Sequence, residues 1–166
     1  GGWDEFYGDE GSCYWVGRQA MSLFSKEADG RVPKGALYDI VRKECGLLRD
    51  FYFTHVVKES YAPYRTEVAA FQKYACQAAE EGDHAAAELY REAARELALM
   101  VRAIKKQLRF STDIVDVSYF GGLFKAGELI LKPFREEVEA LDCNLKPPCR
   151  TATEGALLLA IEYFNA

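Results

Sequence analysis

Apolar residues recur every three or four positions between Asp83 and Leu108, and charged residues fill the positions between them. This spacing places the apolar side chains on one face of an α-helix and the charged side chains on the other. Asp83 stands where a carboxylate can accept hydrogen bonds from the free N–H groups of a helix start. The pattern therefore predicts a long amphipathic helix that ends near Leu108. Its apolar positions are Ala86, Leu89, Ala93, Leu97, Met100, Ile104 and Leu108.

The same spacing predicts several helices before this one. Residues 12–26 form a predicted helix with Ser12 as its cap, and residues 35–44 form a shorter one. The aromatic-rich segment 47–63 predicts one helix or two short ones, and residues 64–81 predict another helix. The first two thirds of the chain are therefore expected to be mainly helical.

The composition changes in the last third of the chain. β-Branched and aromatic residues over 113–122 predict a short buried strand that ends in two glycines. A helix is predicted over 126–140, in which Pro133 either kinks the helix or begins a second segment. A brief strand at 143–148 and an apolar helix at 151–164 complete the prediction.

The order of these elements predicts a helix-rich α/β fold in one unit, residues 1–166. Pieces of an α/β unit lie towards both ends of the chain. The helices between them are interpreted as a helical insert over about 34–110.

Composition and charge narrow the class of protein. The net charge is −5 and no basic run is present, which argues against a protein that binds nucleic acid by neutralising phosphates. No apolar stretch reaches the length of about 20 residues that a membrane-spanning helix needs. The five cysteines form no CxxC pair, so they are predicted to be reduced thiols of a cytoplasmic protein rather than metal ligands.

A strand, two glycines and a helix follow one another in "VDVSYFGGLFKAGEL". Gly121 and Gly122 would let a ligand approach the backbone without meeting side chains, and the helix start would direct N–H groups towards it. Nucleotides bind in this way at the carboxyl ends of strands in open α/β sheets. Because turns also use paired glycines, the segment predicts either a nucleotide site or an ordinary turn.

The opening segment "GGWDEFYGDEGS" is the second candidate site. Gly1 and Gly2 permit a close approach of the backbone, and Trp3 offers a flat apolar face on which a sugar ring could stack. The carboxylate of Asp9 could accept hydrogen bonds from two neighbouring hydroxyl groups. The alternative is a glycine-rich turn in which Asp9 or Ser12 only caps the helix that follows.

Four segments of the chain resemble those of a known family in their order and separation. They are "GGW" with "GDEGSCYWVGRQA", then "AAEEGD", "VSYFGGLFKAGELILKPF" and "EGALLLAI". The chain resembles the carboxyl-terminal lobe of the N-acetylglucosamine kinase-like BadF/BadG/BcrA/BcrD ATPases, which belong to the sugar kinase/Hsp70/actin superfamily. The resemblance implies the carboxyl-terminal half of a ribonuclease H-like fold with a helical insert.

The resemblance also implies residues for a sugar site. Gly1, Gly2 and Trp3 match the segment that lines the amino-sugar pocket of the family. Asp9 matches the acid that holds the sugar hydroxyls. These four residues are therefore the expected substrate-binding residues.

A nucleotide site is implied in the same way. Gly121, Gly122 and Lys125 match the turn that packs on the nucleotide, and Ala79 matches a helix position near the adenine. The implied cofactors are ATP and Mg²⁺, and both are expected to need the other lobe. No catalytic residue is expected in this chain, because the phosphate loops and the catalytic acid of the family belong to its amino-terminal part.

An ATP-dependent amino-sugar kinase is therefore the expected function of the parent protein, and the chain alone is expected to be inactive. The expected partners are an amino sugar and the amino-terminal lobe of the same protein, with a homodimer left open. Gly155 and Ala156 match small residues by which the last helix of the family packs close to the nucleotide lobe.

Two other functions stay open from the sequence. A regulatory ATPase of the BadF/BadG type would couple nucleotide hydrolysis to a partner enzyme and would hydrolyse ATP without a sugar. A non-catalytic interaction module would use the helical insert as a docking surface and would tolerate Gly122→Val.

Overall fold

The first helix, α1 (Cys13–Ala28), begins where the sequence predicts. In the computed structural model, which describes residues 2–165, the Ser12 hydroxyl accepts a hydrogen bond from the Trp15 N–H at 3.1 Å. Ser12 is therefore the amino-terminal cap of α1, as predicted. Gly1, one of the predicted sugar-site residues, lies outside the described residues.

The other predicted helices of the first two thirds are confirmed, with one difference. Their bounds are α2 (Ala36–Glu44), α3 (Phe53–Val56), α4 (Arg65–Glu80) and α5 (His84–Gln107). The difference lies in the aromatic-rich segment, where α3 is preceded by a 3-10 turn at Asp50–Tyr52 and followed by a π-helical turn at Val57–Tyr61. This segment therefore changes its helical hydrogen-bond pattern twice.

A close crossing of α1 and α4 forms the centre of the helical core. Gly17 is buried at this crossing, and a Cβ atom at Gly17 would lie 1.9 Å from the Val68 carbonyl oxygen. The two backbones approach so closely that only glycine fits at Gly17. Phe24 and Phe71 lie on the buried faces of these helices, and the rings of both contact the ring of Phe53.

Two buried carboxyl groups join three helix ends. Asp83 caps α5 by accepting a hydrogen bond from the Ala85 N–H at 3.0 Å, and its other oxygen accepts one from the Leu37 N–H of α2 at 3.0 Å. Glu27, near the end of α1, accepts a hydrogen bond from the Gly35 N–H at 2.8 Å. The long predicted helix and its aspartate cap are confirmed, and the cap also holds α2 in place.

The last third of the chain contains a small parallel sheet. β1 (Val115–Ser118) pairs in parallel with β2 (Cys143–Lys146), and Val115 lies opposite Cys143. The side chains of β1 alternate between half-buried and exposed, so the prediction of a buried strand is wrong. Among the described residues the sheet has two strands, so β1 lies at an edge. Only one face of the sheet packs against the core.

Two helices accompany the sheet. α6 (Glu128–Glu139) connects the two strands and runs through Pro133 as one helix, so no second segment begins there. α7 (Ala152–Asn165) follows β2, and none of its residues is buried. No helix within residues 2–165 combines the length and the apolar character that crossing a membrane requires. The described fold is therefore a helix-rich α/β structure with a small parallel sheet.

Candidate functional site

Residues 2–12, which we name the opening turn, contact the long helix α5 at Gly11. Gly11 is buried with φ of +76°, and a Cβ atom there would lie 2.8 Å from Leu97 Cγ and 3.0 Å from the Ala93 carbonyl oxygen. A larger residue at Gly11 would therefore push the turn off α5. Asp9 has φ of +64°, a left-handed conformation that non-glycine residues rarely adopt, and it tightens the turn before Ser12.

The paired glycines form a second turn beside the start of α1. Gly121 has φ of +127°, and no atom lies within 4 Å of the position of its missing Cβ. A Cβ atom at Gly122 would meet one neighbour within that distance, the Cys13 sulfur at 3.4 Å. The glycine pair therefore faces open space next to the first residue of α1.

The helix predicted to begin at about residue 126 begins at Glu128. A 3-10 turn occupies Gly122–Ala126, and α6 starts only at Glu128. A 3-10 turn rather than an α-helix therefore directly follows the glycine pair. The reason is local, since Gly127 has φ of +59° and interrupts the helical path before Glu128.

The two turns share one cavity, which we name the turn groove. It encloses about 260 Å³ and opens between the opening turn and the paired glycines. Its lining residues are Gly2, Asp9, Glu10, Gly11, Ser12, Cys13, Leu97, Met100 and the segment 120–124. Asp9 and Gly122, which come from the two separate candidate segments, therefore line one cavity although they are far apart in sequence.

A second cavity, the α4 groove, adjoins the turn groove. It encloses about 440 Å³ along the exposed side of α4 and shares Cys13 and Gly122 with the turn groove. Its lining residues are Cys13, Thr66, Ala69, Ala70, Gln72, Lys73, Cys76, Gln77, Glu80, Gly122 and Lys125. A ligand that lies over Gly122 could therefore contact both grooves.

The paired glycines also border a third cavity on the sheet side. This cavity encloses about 430 Å³ and is lined by Tyr119, Phe120, Gly121, Gly122, Phe124, Lys125 and Pro148. Gly122 is thus common to three neighbouring cavities, and Lys125 to two of them. This concentration of open surface around a residue without a side chain is the main geometric feature of the candidate site.

Two predicted site residues lie elsewhere. Trp3 is in the opening turn, but its side chain is 82% exposed and lines none of the three cavities described above. Ala79 is half-buried and packs against the hydrophobic core, so it does not line the α4 groove either. Their predicted contacts with the sugar and the adenine stay predictions.

Arg65 is a residue of the site that the sequence reasoning missed. Its guanidinium donates a short hydrogen bond from Nη2 to Oδ2 of Asp9, and its Nε lies 3.6 Å from Oε2 of Glu5. Arg65 and Asp9 are separated by 56 positions, and the intervening helices bring them together. No local pattern around Arg65 indicates this contact.

The grooves are lined by a cysteine thiol and by charged side chains. Burial is the main cause that raises the pKa of the Cys13 thiol, and Lys125 opposes this effect by its positive charge. The thiol is therefore neutral near pH 7. Lys73 and Lys125 supply positive charge to the α4 groove, and Glu80 supplies one negative charge. Within residues 2–165, no group of three or more acidic, histidine or cysteine side chains is placed to hold a metal ion.

Comparisons with known proteins connect this geometry with a family. The family model described as "BadF/BadG/BcrA/BcrD ATPase family" matches residues 1–160. The chain is also 28% identical, over 142 residues, to the N-acetylmuramic acid/N-acetylglucosamine kinase of Clostridium acetobutylicum. This match covers 82% of the chain and 44% of the kinase, so the chain spans less than half the length of this curated relative. Because the family match covers nearly the whole sequence, the chain belongs to the BadF/BadG/BcrA/BcrD ATPase family.

Proposed function

We propose that the chain is the carboxyl-terminal lobe of a cytoplasmic, ATP-dependent amino-sugar kinase. The observation that carries this proposal is the turn groove, in which the predicted sugar acid Asp9 and the predicted nucleotide glycine Gly122 line one cavity. Phosphoryl transfer needs the acceptor hydroxyl and the terminal phosphate side by side. A common cavity for the two predicted sites supports this arrangement, and the phosphate loops and the catalytic acid are expected from the amino-terminal lobe.

The turn groove has the chemistry that a sugar needs. The Asp9 carboxylate lies at one wall, and Leu97, Met100 and Phe120 provide apolar surface. A carboxylate can accept hydrogen bonds from hydroxyl groups, while the C–H face of a sugar ring prefers apolar contacts. Gly2 leaves space for the ligand at the rim of the cavity. The groove therefore suits a small polyhydroxylated substrate.

The α4 groove has the chemistry that a nucleotide needs. Gly122 lets the ligand approach the backbone, and Lys73 and Lys125 can attract phosphate oxygens. The Gln72 oxygen accepts a hydrogen bond from the Tyr90 hydroxyl and the Gln77 nitrogen donates one to Glu81. The Gln72 NH₂ group can therefore donate to a base, and the Gln77 oxygen can accept from it. A bound Mg²⁺ ion would neutralise phosphate charge, and its ligands are expected from the phosphates and from the other lobe.

α7 offers a surface for the proposed amino-terminal lobe. Its six large apolar side chains are between 46% and 84% exposed: Leu157, Leu158, Leu159, Ile161, Tyr163 and Phe164. A helix with apolar residues on all sides is typical of a buried position. The match covers 44% of the kinase relative. We therefore propose that the remaining part of such a protein packs on α7.

The decisive experiment measures phosphorylation by the full-length protein. Release of ADP should be followed with N-acetylglucosamine, N-acetylmuramic acid and glucose as acceptors. The proposal expects ADP release that depends on an amino sugar, together with a phosphorylated product. ATP hydrolysis that no sugar stimulates would favour the regulatory ATPase instead. Absence of ATP turnover under all conditions would contradict both the kinase proposal and the regulatory-ATPase alternative.

Gly122→Val tests the nucleotide side of the same proposal. Since the nearest neighbour of an added Cβ is Cys13 at 3.4 Å, the fold has room for the first carbon of the side chain. The remaining carbons would occupy the cavities around Gly122, so we expect ATP binding to be lost while the melting temperature stays close to that of the wild type. Ala140→Val adds bulk at the exposed end of α6 and is the matched control. Unchanged ATP affinity in Gly122→Val would remove the glycine turn from the proposed site.

A further inference from the structure

Arg65 connects the opening turn with the helix that lines the α4 groove. It is the first residue of α4, and its guanidinium contacts the carboxylates of Asp9 and Glu5. The Arg65 side chain is 53% exposed, whereas that of Asp9 is only 22% exposed. The arginine therefore covers part of the Asp9 carboxylate and fixes it against α4.

A second arginine, Arg18, donates hydrogen bonds to the backbone of the same turn. Nη1 of Arg18 donates hydrogen bonds to the carbonyl oxygens of Glu5 at 3.2 Å and Phe6 at 3.3 Å. The guanidinium carbons of Arg65 and Arg18 lie 5.4 Å and 6.0 Å from the centre of the Tyr14 ring. Arg18 thus positions the backbone of the turn, and Arg65 positions its acidic side chains.

The contact with Arg65 leaves one side of the Asp9 carboxylate for a ligand. Oδ2 accepts the hydrogen bond from Arg65, and within residues 2–165 no hydrogen bond to Oδ1 is present. Asp9 lines the turn groove, so Oδ1 is the oxygen that can meet a hydroxyl group there. A carboxylate that is hydrogen-bonded to a guanidinium group has fewer orientations left, which reduces the entropy lost on binding.

We propose that Arg65 is a positioning residue for the sugar and acts through Asp9. This inference rests on the proposed function, in which Asp9 accepts hydrogen bonds from sugar hydroxyls. It goes further because it assigns a role to a residue on a different element, 56 positions away. Arg65 holds the carboxylate in the geometry that binds the sugar and does not contact the reacting atoms.

The first test replaces Arg65 in the full-length protein and measures sugar and ATP separately. Arg65→Met keeps the length of the side chain but removes its charge and donors. We expect the KM for the sugar to rise about 10- to 100-fold, as is typical for the loss of a hydrogen bond to a charged group. The KM for ATP should stay within about twofold, since the α4 groove is lined from Thr66 onwards and does not include Arg65.

Two further variants separate positioning from a general structural role. Arg65→Lys keeps the charge but has one nitrogen where Arg65 uses two to contact Asp9 and Glu5, so it should recover part of the sugar affinity. Arg31→Met is the matched control, because Arg31 forms a similar exposed pair with Asp29 at 2.7 Å and lines none of the three cavities. The control should leave both KM values unchanged.

A double-mutant cycle tests whether Arg65 acts through Asp9. If it does, Asp9→Asn combined with Arg65→Met should bind the sugar no more weakly than Asp9→Asn alone. Sugar binding is also measured by calorimetry, which needs no turnover. Independent losses from the two substitutions, or unchanged sugar affinity in Arg65→Met, would overturn the role of Arg65. A wild-type protein that binds no amino sugar would instead reject the proposed function, and this role with it.

Discussion

Gly17→Ala is the sharpest test of how α1 and α4 pack together. An added Cβ would lie 1.9 Å from the Val68 carbonyl oxygen and 3.0 Å from the Val68 carbonyl carbon. Both neighbouring atoms belong to the backbone, so no side chain can rotate away to make space. The two helices would have to separate locally by more than about 1 Å, which breaks the close packing of the core.

The expected loss of stability combines two opposing effects. Overpacking of this kind costs about 1 to 3 kcal/mol, and a contact between two backbones belongs at the upper end of that range. Alanine is better than glycine inside a helix by about 1 kcal/mol, which offsets part of the loss. The net decrease in the free energy of unfolding is therefore about 2 kcal/mol, which lowers the melting temperature by about 4 to 8 °C for a chain of this length.

Urea denaturation followed by circular dichroism measures this change. Ser25→Ala is the control, because Ser25 is exposed on the same helix and its replacement should change the free energy of unfolding by no more than about 0.5 kcal/mol. If Gly17→Ala is as stable as the wild type or more so, α1 and α4 do not cross as closely as described. The position of Cys13, one helical turn before Gly17, would then need revision as well.

Two further predictions concern the buried carboxyl groups at the helix ends. Glu27 is buried, and its Oε2 has no hydrogen-bond partner. Burial is the main cause that raises its pKa, and the negative charges of Asp83 and Asp39 add to the effect while the Gly35 N–H and Lys34 oppose it. An acid with a raised pKa in the folded state stabilises the fold at low pH and loses this contribution as the pH rises through the raised value. Glu27→Gln should therefore be more stable than the wild type near pH 7 by about 1 to 3 kcal/mol, and this difference should shrink towards about pH 4 in urea titrations. A constant difference across this range would contradict the assigned titration. Asp83→Ala removes the cap of α5 and the acceptor for the Leu37 N–H, so we expect a loss of about 2 to 4 kcal/mol in the same assay, whereas Asp83→Asn should lose less because it keeps one of the two acceptor oxygens.

Local sequence signals predicted most of the helices. Ser12 and Asp83 each have a side-chain oxygen that bonds to N–H groups two or three residues further on, so the start of a helix is recognisable from its own sequence. The spacing of apolar residues in α5 correctly gave Ala86, Leu89 and Ala93 as buried positions. It was wrong at the end of the helix, where Ile104 and Leu108 are exposed, and it missed the buried Tyr90, Ala94 and Ala98. The two glycine-containing turns were also recognisable as candidate sites, since glycine marks backbone that a ligand or another helix can approach closely.

The sheet was less predictable than the helices. β-Branched residues indicated a strand at β1, but its length and exposure depend on which neighbours it has in the sheet. The exposure of β1 therefore does not follow from residue types alone, because it depends on how distant segments are placed. The 3-10 turn after Gly122 was not predicted either, but its cause is local, since Gly127 with its positive φ delays the start of α6.

The sequence alone determined the helices, their caps and the two glycine turns, because these features depend on hydrogen bonds between residues a few positions apart. The tertiary structure decided that the two turns share a groove, that α4 provides a second groove beside it, and that Arg65 holds Asp9. These contacts join residues separated by tens of positions, and packing of the helices sets their distances. The candidate site is therefore formed by the packing of α1, α4 and α5 beneath two turns.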